Sequence, residues 1–230
     1  YNGSDPFKAP GTLNVIQHYE INLGAYLPKG GMEQISGSVY KLAQELGVKF
    51  EFGRTVEKIN TTKNSIESIV VDGETIEADV FMSNMDVYYL YNNLMPQAKK
   101  PTKILNQPKS GSAIVFYWGI KKNFDQLGVH NILFSEDHPG EFDAIFNKNT
   151  VCDDPTIYVN ITSKKCPEDA PKGGENWFTM INVPNNTGQD WDEILSRSRQ
   201  NMIAKINRML NTDIESLIEA EELMDPRVID

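Results

Sequence analysis

What this 230-residue chain lacks narrows it before any pattern is read. It holds two cysteines, Cys152 and Cys166, with no C-x-x-C spacing, and three scattered histidines, His18, His130 and His138. A structural zinc site needs about four such ligands at close spacing, so no metal is expected. Two free thiols point to a reducing compartment, and so to the cytoplasm. No apolar run approaches the ~18 residues that mark a membrane-spanning helix, and no signal-peptide pattern is present. The Asn-x-Ser/Thr sequons at Asn2, Asn60, Asn160 and Asn185 carry meaning only in a secreted protein. The phosphate-cradling loops G-x-G-x-x-G and G-x-x-x-x-G-K are absent, as are the nucleophile elbow G-x-S-x-G and the zinc motif H-E-x-x-H. Positive charge is in deficit: Lys+Arg 22 against Asp+Glu 32 gives −10. Such a chain does not favour nucleic acid or an anionic membrane as a bulk partner, although a local apolar or basic patch leaves room for peripheral membrane contact. The acidic pairs Glu136/Asp137, Asp153/Asp154 and Glu221/Glu222 read as solvated faces, and no serine has a histidine at motif spacing. No self-sufficient catalytic constellation is legible, and no residue is assigned as general acid or base.

Hydrophobic residues make up 40% of the chain and charged ones 23%, the proportions of a globular protein built as one large or two small domains. Pattern then organises around Tyr26-Leu27-Pro28-Lys29-Gly30-Gly31-Met32. Pro28 and the two glycines make a turn. Met32, Ile35, Val39, Leu42, Ala43 and Leu46 follow at helical steps, and Gly47 stands where a left-handed C-terminal cap belongs. An ordinary turn before an ordinary helix would read the same way. Upstream, Thr12 is a candidate cap for a helix through Val15, Ile16, Tyr19 and Leu23, ended by Gly24. Downstream, Val48–Phe52, Thr55–Thr61, Ser65–Val71 and Glu74–Glu77 alternate like strands, and Asp72-Gly73 signals a hairpin between the last two. Residues 78–84 read as a buried strand that stops in small polar residues.

Asp86 caps an expected helix over residues 86–95, and residues 99–109 form a Lys- and Pro-containing connector. Residues 111–120 are apolar on both faces, as a central strand is. A short strand at Asn131–Phe134 and a helix from Asp137 to about Asn147 follow. In Thr156–Thr162, Ile157, Val159 and Ile161 face one way while Tyr158, Asn160 and Thr162 face the other. Trp177–Val183 alternates likewise, after a Pro/Gly-rich loop at Lys164–Glu175. A long helix from Trp191 to about Leu210 opens on Asp190 and Glu193, with Trp191, Ile194, Leu195, Met202, Ile206, Met209 and Leu210 as its stripe. The sum is an α+β protein, a mixed sheet flanked by helices.

Several segments, in order, resemble the bacterial-type phytoene desaturases, carotenoid dehydrogenases of the FAD-dependent amine-oxidase-like superfamily. Tyr1-Asn2-Gly3-Ser4-Asp5-Pro6-Phe7-Lys8-Ala9-Pro10 resembles that family's Y-x-G-S-x-P-x-x-A-P. Tyr26 through Met32 resembles its Y-P-x-G-G-M, with Leu27 as an extra residue. Leu42 through Val48 is similar to L-A-x-E-L-G-V, and Ala78 through Asp86 to A-D-x-V-x-S-N-A-D, with Met85 in place of the usual Ala. His130-Asn131-Ile132, Phe134 through Asp137, Glu141-Phe142, Asp154 through Tyr158 and Val183-Pro184-Asn185 continue the match.

The resemblance implies an FAD-dependent enzyme that desaturates a long isoprenoid polyene such as phytoene. The family's Gly-rich FAD motifs are not in this chain. Tyr1 is not a start residue, and residues 225–230 close no element, so a piece of a larger enzyme is expected. By resemblance, residues 1–29 lead into the substrate domain, 30–85 are a returning piece of a Rossmann-type FAD-binding domain, and 86–230 are substrate-binding domain. Val56 would meet the FAD adenine through its main chain, and Asn84 would approach the flavin cofactor. Gly30, Gly31 and Met32 would stand where an apolar substrate tunnel meets the flavin. Alone, the chain is expected to hold no FAD and to be inactive. A carotenoid isomerase or retinol-saturase-like enzyme, an amine or porphyrinogen oxidase of the same superfamily, and a non-catalytic lipid-binding module remain open at this point.

Overall fold

A computed structural model describes residue 5 and residues 7–63 and 65–229. The opening motif's Tyr1, Gly3, Ser4 and Pro6 therefore lie outside the described residues, as does the Asn2 sequon. The chain divides into two compact units, residues 35–108 and the remainder.

A tight turn at Gly11–Asn14 runs into α1 (Val15–His18), which continues as a wider turn over Tyr19–Leu23. Thr12 lies inside the first turn and caps nothing, because Pro10 precedes it. Gly24, at φ +84°, ends the segment as expected. Helix α2 (Glu33–Glu45) closes with Gly47 at φ +86°. The Val48 N–H donates to the Ala43 carbonyl and the Gly47 N–H to Gln44, a Schellman motif.

In the smaller unit, β1 (Val56–Thr61), β2 (Ile66–Val71) and β3 (Glu74–Glu77) form an antiparallel sheet in that order. The hairpin rests on Asp72 and Gly73, both at positive φ, the geometry of a type I′ turn. Arg54 donates to Glu51, Asp72 and Glu74 at 2.7–2.9 Å. Its guanidinium holds the Asp72 carboxyl below the usual carboxylate range, helped by the Thr55 N–H. Residues 48–52 keep their alternation but find no strand partner. Phe50 and Phe52 lie on one side and both meet Tyr40 of α2, with ring centroids 4.5 and 5.8 Å away. Residues 78–84 likewise join no ladder, and Met82 is 95% exposed. Among the described residues no strand pairs with either segment. Asp86 accepts from the Tyr88 N–H and starts α3 (Val87–Tyr89), prolonged by a wider turn to Leu94. Within the connector, α4 (Thr102–Leu105) adds one turn.

The larger unit is built on β4 (Ser112–Ile120), β5 (His130–Leu133), β6 (Ile157–Asn160), β7 (Glu175–Val183) and β8 (Ile218–Met224), in the order β5-β6-β7-β4-β8. Every pairing in both sheets is antiparallel among the described residues. Helix α5 (His138–Phe146) starts on Asp137, whose carboxylate accepts from the Gly140 N–H. Helix α6 (Trp191–Leu210) starts on Asp190, which accepts from the Glu193 N–H. The short α7 (Pro226–Ile229) follows β8. The class is α+β with helices flanking sheets, as the sequence led us to expect.

One sheet face carries the core. Ile114, Phe116 and Trp118 of β4, Ile157 and Val159 of β6 and Trp177, Ile181 and Val183 of β7 pack in one cluster with Ile194, Met202 and Ile206 of α6. At ~25 cal/mol per Å² of apolar surface removed from water, this cluster is the main stabilising feature of the unit. Met209, counted in the α6 stripe from sequence, is instead 50% exposed in the last turn. Strand β8 was not foreseen. It is an edge strand whose Glu219, Glu221 and Glu222 keep it polar, a common guard against edge-to-edge pairing. Glu221 is engaged rather than merely solvated: it accepts from Trp118 Nε1 at 2.6 Å and from Arg199 Nε at 2.9 Å.

Candidate functional site

The other face of the five-stranded sheet defines the candidate site. Side chains alternate across a strand, so residues opposite Trp118, Trp177 and Val159 point away from the core. Directly paired residues share a face, and the register lays out two rows. One runs His130, Asn160, Phe178, Tyr117, Glu222; the other runs Ile132, Tyr158, Met180, Val115, Met224. With ~4.8 Å between strands, each row spans roughly 19 Å. One row is apolar and aromatic throughout, and the other is aromatic at Phe178 and Tyr117 with His130, Asn160 and Glu222 as its polar members. Tyr117 and Tyr158 both meet the Phe178 ring edge-on, at 5.5 and 6.2 Å between centroids. The aromatic residues of β4 and β7 thus divide between the two faces. Phe116, Trp118 and Trp177 face the core, and Tyr117 and Phe178 face the open side.

Over the β5–β6 side of this face lies a cavity of about 990 Å³. Ala25 through Gly30 and Met32 form one wall, and Val129, His130, Tyr158, Asn160 and Phe178 form another; Thr162, Lys165, Cys166 and Glu168 complete it. All of these residues belong to the larger unit. Gly30 and Gly31 take φ +87° and +90°, a conformation side-chain-bearing residues rarely adopt. A Cβ on Gly31 would meet nothing within 4 Å, so backbone conformation rather than crowding calls for glycine there.

Of the residues proposed from sequence, Gly30 and Met32 therefore line the cavity, with Gly31 between them in the same turn. Val56 and Asn84 belong to the other unit. Val56 opens β1, which pairs with β2 on one side only, leaving main-chain groups along its outer edge. Asn84 is exposed, two residues before the Asp86 cap.

Sequence reasoning did not single out His130, Tyr158 and Asn160 as site residues. Their rings and amide form one cluster: His130 Nδ1 lies 2.7 Å from the Tyr158 hydroxyl and 3.2 Å from Asn160 Nδ2. Desolvation raises the Tyr158 phenol above its ordinary pKa, so it stays protonated at neutral pH. The signal available was the alternation of residues 156–162, which sets Tyr158, Asn160 and Thr162 on a face away from the core.

A second cavity, about 670 Å³, lies between α5, the 150–154 segment and α6 and is lined largely by charged groups. There Lys205, almost fully buried, donates to Asp154 and to the Pro155 carbonyl, each at 2.9 Å. Burial and the Glu141 carboxylate push the Cys152 thiol up to about 11, so it is no nucleophile at neutral pH. Among the described residues no group of His, Cys, Asp and Glu could hold a metal ion. No helix among them is long and apolar enough to cross a membrane.

Comparison with known proteins gives a consistent picture. A family model described as flavin containing amine oxidoreductase matches residues 8–223. The chain is 48% identical over its full length to a 1-hydroxycarotenoid 3,4-desaturase of Flavobacterium sp. (strain P99-3), covering 47% of that protein. It is 29% identical to a phytoene desaturase of Fusarium fujikuroi, with 98% of this chain and 44% of the relative aligned. The chain thus spans about half the length of the curated relatives it matches. Among solved structures, an oxidoreductase from Methanosarcina mazei superposes with a TM-score of 0.65 at 15% identity, over 96% of this chain and 49% of that one.

Proposed function

This chain belongs to the flavin-containing amine oxidoreductase family, and we propose that the intact protein is an FAD-dependent desaturase of a long isoprenoid polyene, acting in carotenoid biosynthesis. Within it, residues 1–29 and 86–230 hold the polyene, and residues 30–85 return to the FAD-binding domain. The observation that carries this reading is the apolar, aromatic open face of the five-stranded sheet, with its cavity beneath the Gly30–Gly31 turn. The carotenoid desaturases among the relatives agree with it.

The residues present fit a flavin cofactor. The outer edge of β1 offers backbone donors and acceptors at Val56, half-exposed, for the adenine. Asn84, which is exposed, would turn its amide toward the cofactor. Bound FAD supplies a two-electron acceptor: one carbon gives up a hydride, its neighbour a proton, and one C=C forms per flavin reduced. The chain's own residues do the rest. Tyr117, Tyr158, Phe178 and Met180 hold the polyene flat against the sheet by apolar contact. The Gly30–Gly31 turn and Met32 close one end of the cavity over it, excluding water from the reacting carbons. A water-insoluble substrate implies peripheral contact with a membrane from the cytoplasmic side.

The test is anaerobic mixing of the FAD-loaded intact protein with a linear carotenoid. The expected result is bleaching of flavin absorbance together with a red shift of the polyene bands. A flavin that stays oxidised with linear carotenoids, but bleaches with an amine or a porphyrinogen, would replace this reading with the other oxidase class.

A further inference from the structure

In a desaturation the second hydrogen leaves carbon as a proton, and a lone pair close to the polyene has to receive it. Helix α5 supplies one. It lies against the end of the open face: Glu141 bonds Thr156, and a Cβ on Gly111 would stand 3.8 Å from the Phe146 ring. Thr156 has the parity of Tyr158, and Gly111 that of Val115 and Tyr117, so both face away from the core. His138, Phe142 and Phe146 recur at four-residue steps and share one side of the helix. Their successive rings lie 5.2 and 6.2 Å apart, and the Phe134 ring meets His138 at 5.7 Å. This aromatic stripe continues the open face, with His138 as its one ionisable ring.

The hydrogens around His138 can be assigned. Glu141 is 2% exposed, and its carboxylate accepts from the Thr156 N–H at 2.7 Å and the Thr156 hydroxyl at 2.6 Å. The hydroxyl's one hydrogen is thereby committed, and its oxygen accepts from the Ser135 N–H at 3.0 Å. His138 Nδ1 faces the same oxygens, 3.3 Å from Glu141 Oε2 and 3.4 Å from Thr156 Oγ1. Both are acceptors toward it, so in the neutral ring Nδ1 carries the hydrogen and Nε2 the lone pair. Among the described residues, Nε2 has no hydrogen-bond partner. A buried carboxylate that fixes the tautomer of a partly exposed imidazole holds a base ready at the other nitrogen.

We propose that His138 is the general base of the desaturation and Glu141 its positioning residue. This rests on the desaturase reading above. A polyene along the row Ile132, Tyr158, Met180 passes two residues of β6, roughly 7 Å, from Thr156, and His138 Nε2 meets one of its carbons there. Departure of hydride leaves a positive charge spread over the polyene. The C–H bond on the neighbouring carbon then breaks: its electron pair becomes the new C=C, and its proton bonds to Nε2. Glu141 stabilises the imidazolium that forms, and water at the exposed edge of the ring carries the proton away.

The experiment compares the FAD-loaded intact protein with its His138→Ala variant on a linear carotenoid, with and without added imidazole. The variant should lose about a hundredfold or more in kcat, while KM and polyene affinity, read by quenching of tryptophan fluorescence, stay within about twofold. Imidazole, entering the gap left between Phe134 and Phe142, should restore turnover in proportion to its concentration. In 15N NMR of the intact wild type, the neutral His138 ring should carry its hydrogen on Nδ1. Glu141→Gln weakens the acceptor and should lower kcat while raising the share of rings protonated on Nε2; an unchanged kcat and tautomer would overturn the positioning role. A His138→Ala kcat within about twofold of wild type, a loss that imidazole leaves untouched, or a wild-type ring protonated on Nε2 would overturn the base and leave the desaturase reading standing. No turnover of the polyene by wild type would overturn the desaturase reading and the base with it.

Discussion

The two units of this chain solve the folding problem unequally. The larger one buries Trp118, Trp177, Ile181, Met202 and Ile206 to within a few per cent of zero exposure, in one cluster. In residues 35–108, Val71 is the buried hydrophobic residue among those described. Ile35, Val39, Leu42 and Leu46, an apolar helical stripe by design, stay more than half exposed, as do Phe52, Val80 and Met82. A stripe that regular is a face meant to be covered. The larger unit buries a core of its own among the described residues, and the smaller leaves its regular apolar stripe exposed.

That contrast can be broken or sharpened, beginning with the largest effect. The 230-residue chain purified alone should show no flavin absorbance, whereas the intact protein should carry one FAD per chain; stoichiometric flavin on the chain alone would mean the smaller unit is already complete. Next, Trp118→Ala should cost ~3–5 kcal/mol in urea unfolding, by cavity formation and loss of the bond to Glu221. Glu175→Ala should cost ~3 kcal/mol. Its buried carboxylate accepts from the Phe124 N–H, Trp177 Nε1 and Lys164 Nζ at 2.9, 2.8 and 2.6 Å, and all three would lose it.

A smaller effect is set by pH. Arg227 holds the Asp225 carboxyl below its usual range. A depressed carboxylate stabilises the fold above its unfolded pKa, and the contribution disappears as pH falls through the lowered folded value. Wild type should therefore exceed Asp225→Asn in melting temperature at neutral pH, with the two curves converging in acid. The smallest effect belongs to the other unit. Leu42→Ala should cost under ~0.5 kcal/mol in this chain, as an exposed substitution does. In the intact protein the same change should rise to the ~2–5 kcal/mol of a buried leucine.

Local signals were legible where the chemistry is local. Asp86, Asp137 and Asp190 cap the helices their positions announce, and Asp72-Gly73 makes its hairpin. Residues 111–120, apolar on both faces, became the strand between β7 and β8. Residues 48–52 and 78–84 have strand patterning without a ladder, because alternation in the one and an apolar run in the other record buried faces and not the presence of a neighbour. Strand β8 was hidden for the opposite reason: an edge strand carrying glutamates lacks the apolar alternation that marks a strand. The site was half legible. Gly30 and Met32 stand in a quotable motif. His130 meets Tyr158 and Asn160 only through the β5–β6 register, across 28 and 30 residues of chain, and no local pattern encodes that meeting.

The account rests on the open face of the larger sheet being the surface that holds the polyene. Phe178→Asn tests it directly. Phe178 packs against Tyr117 and Tyr158 on that face and takes no part in the buried cluster beneath. In the FAD-loaded intact protein, this variant should keep its flavin content and circular dichroism and lose carotenoid turnover by about a hundredfold or more, since an amide placed against a polyene is left without partners. Turnover within twofold of wild type would place the substrate elsewhere and contradict the account.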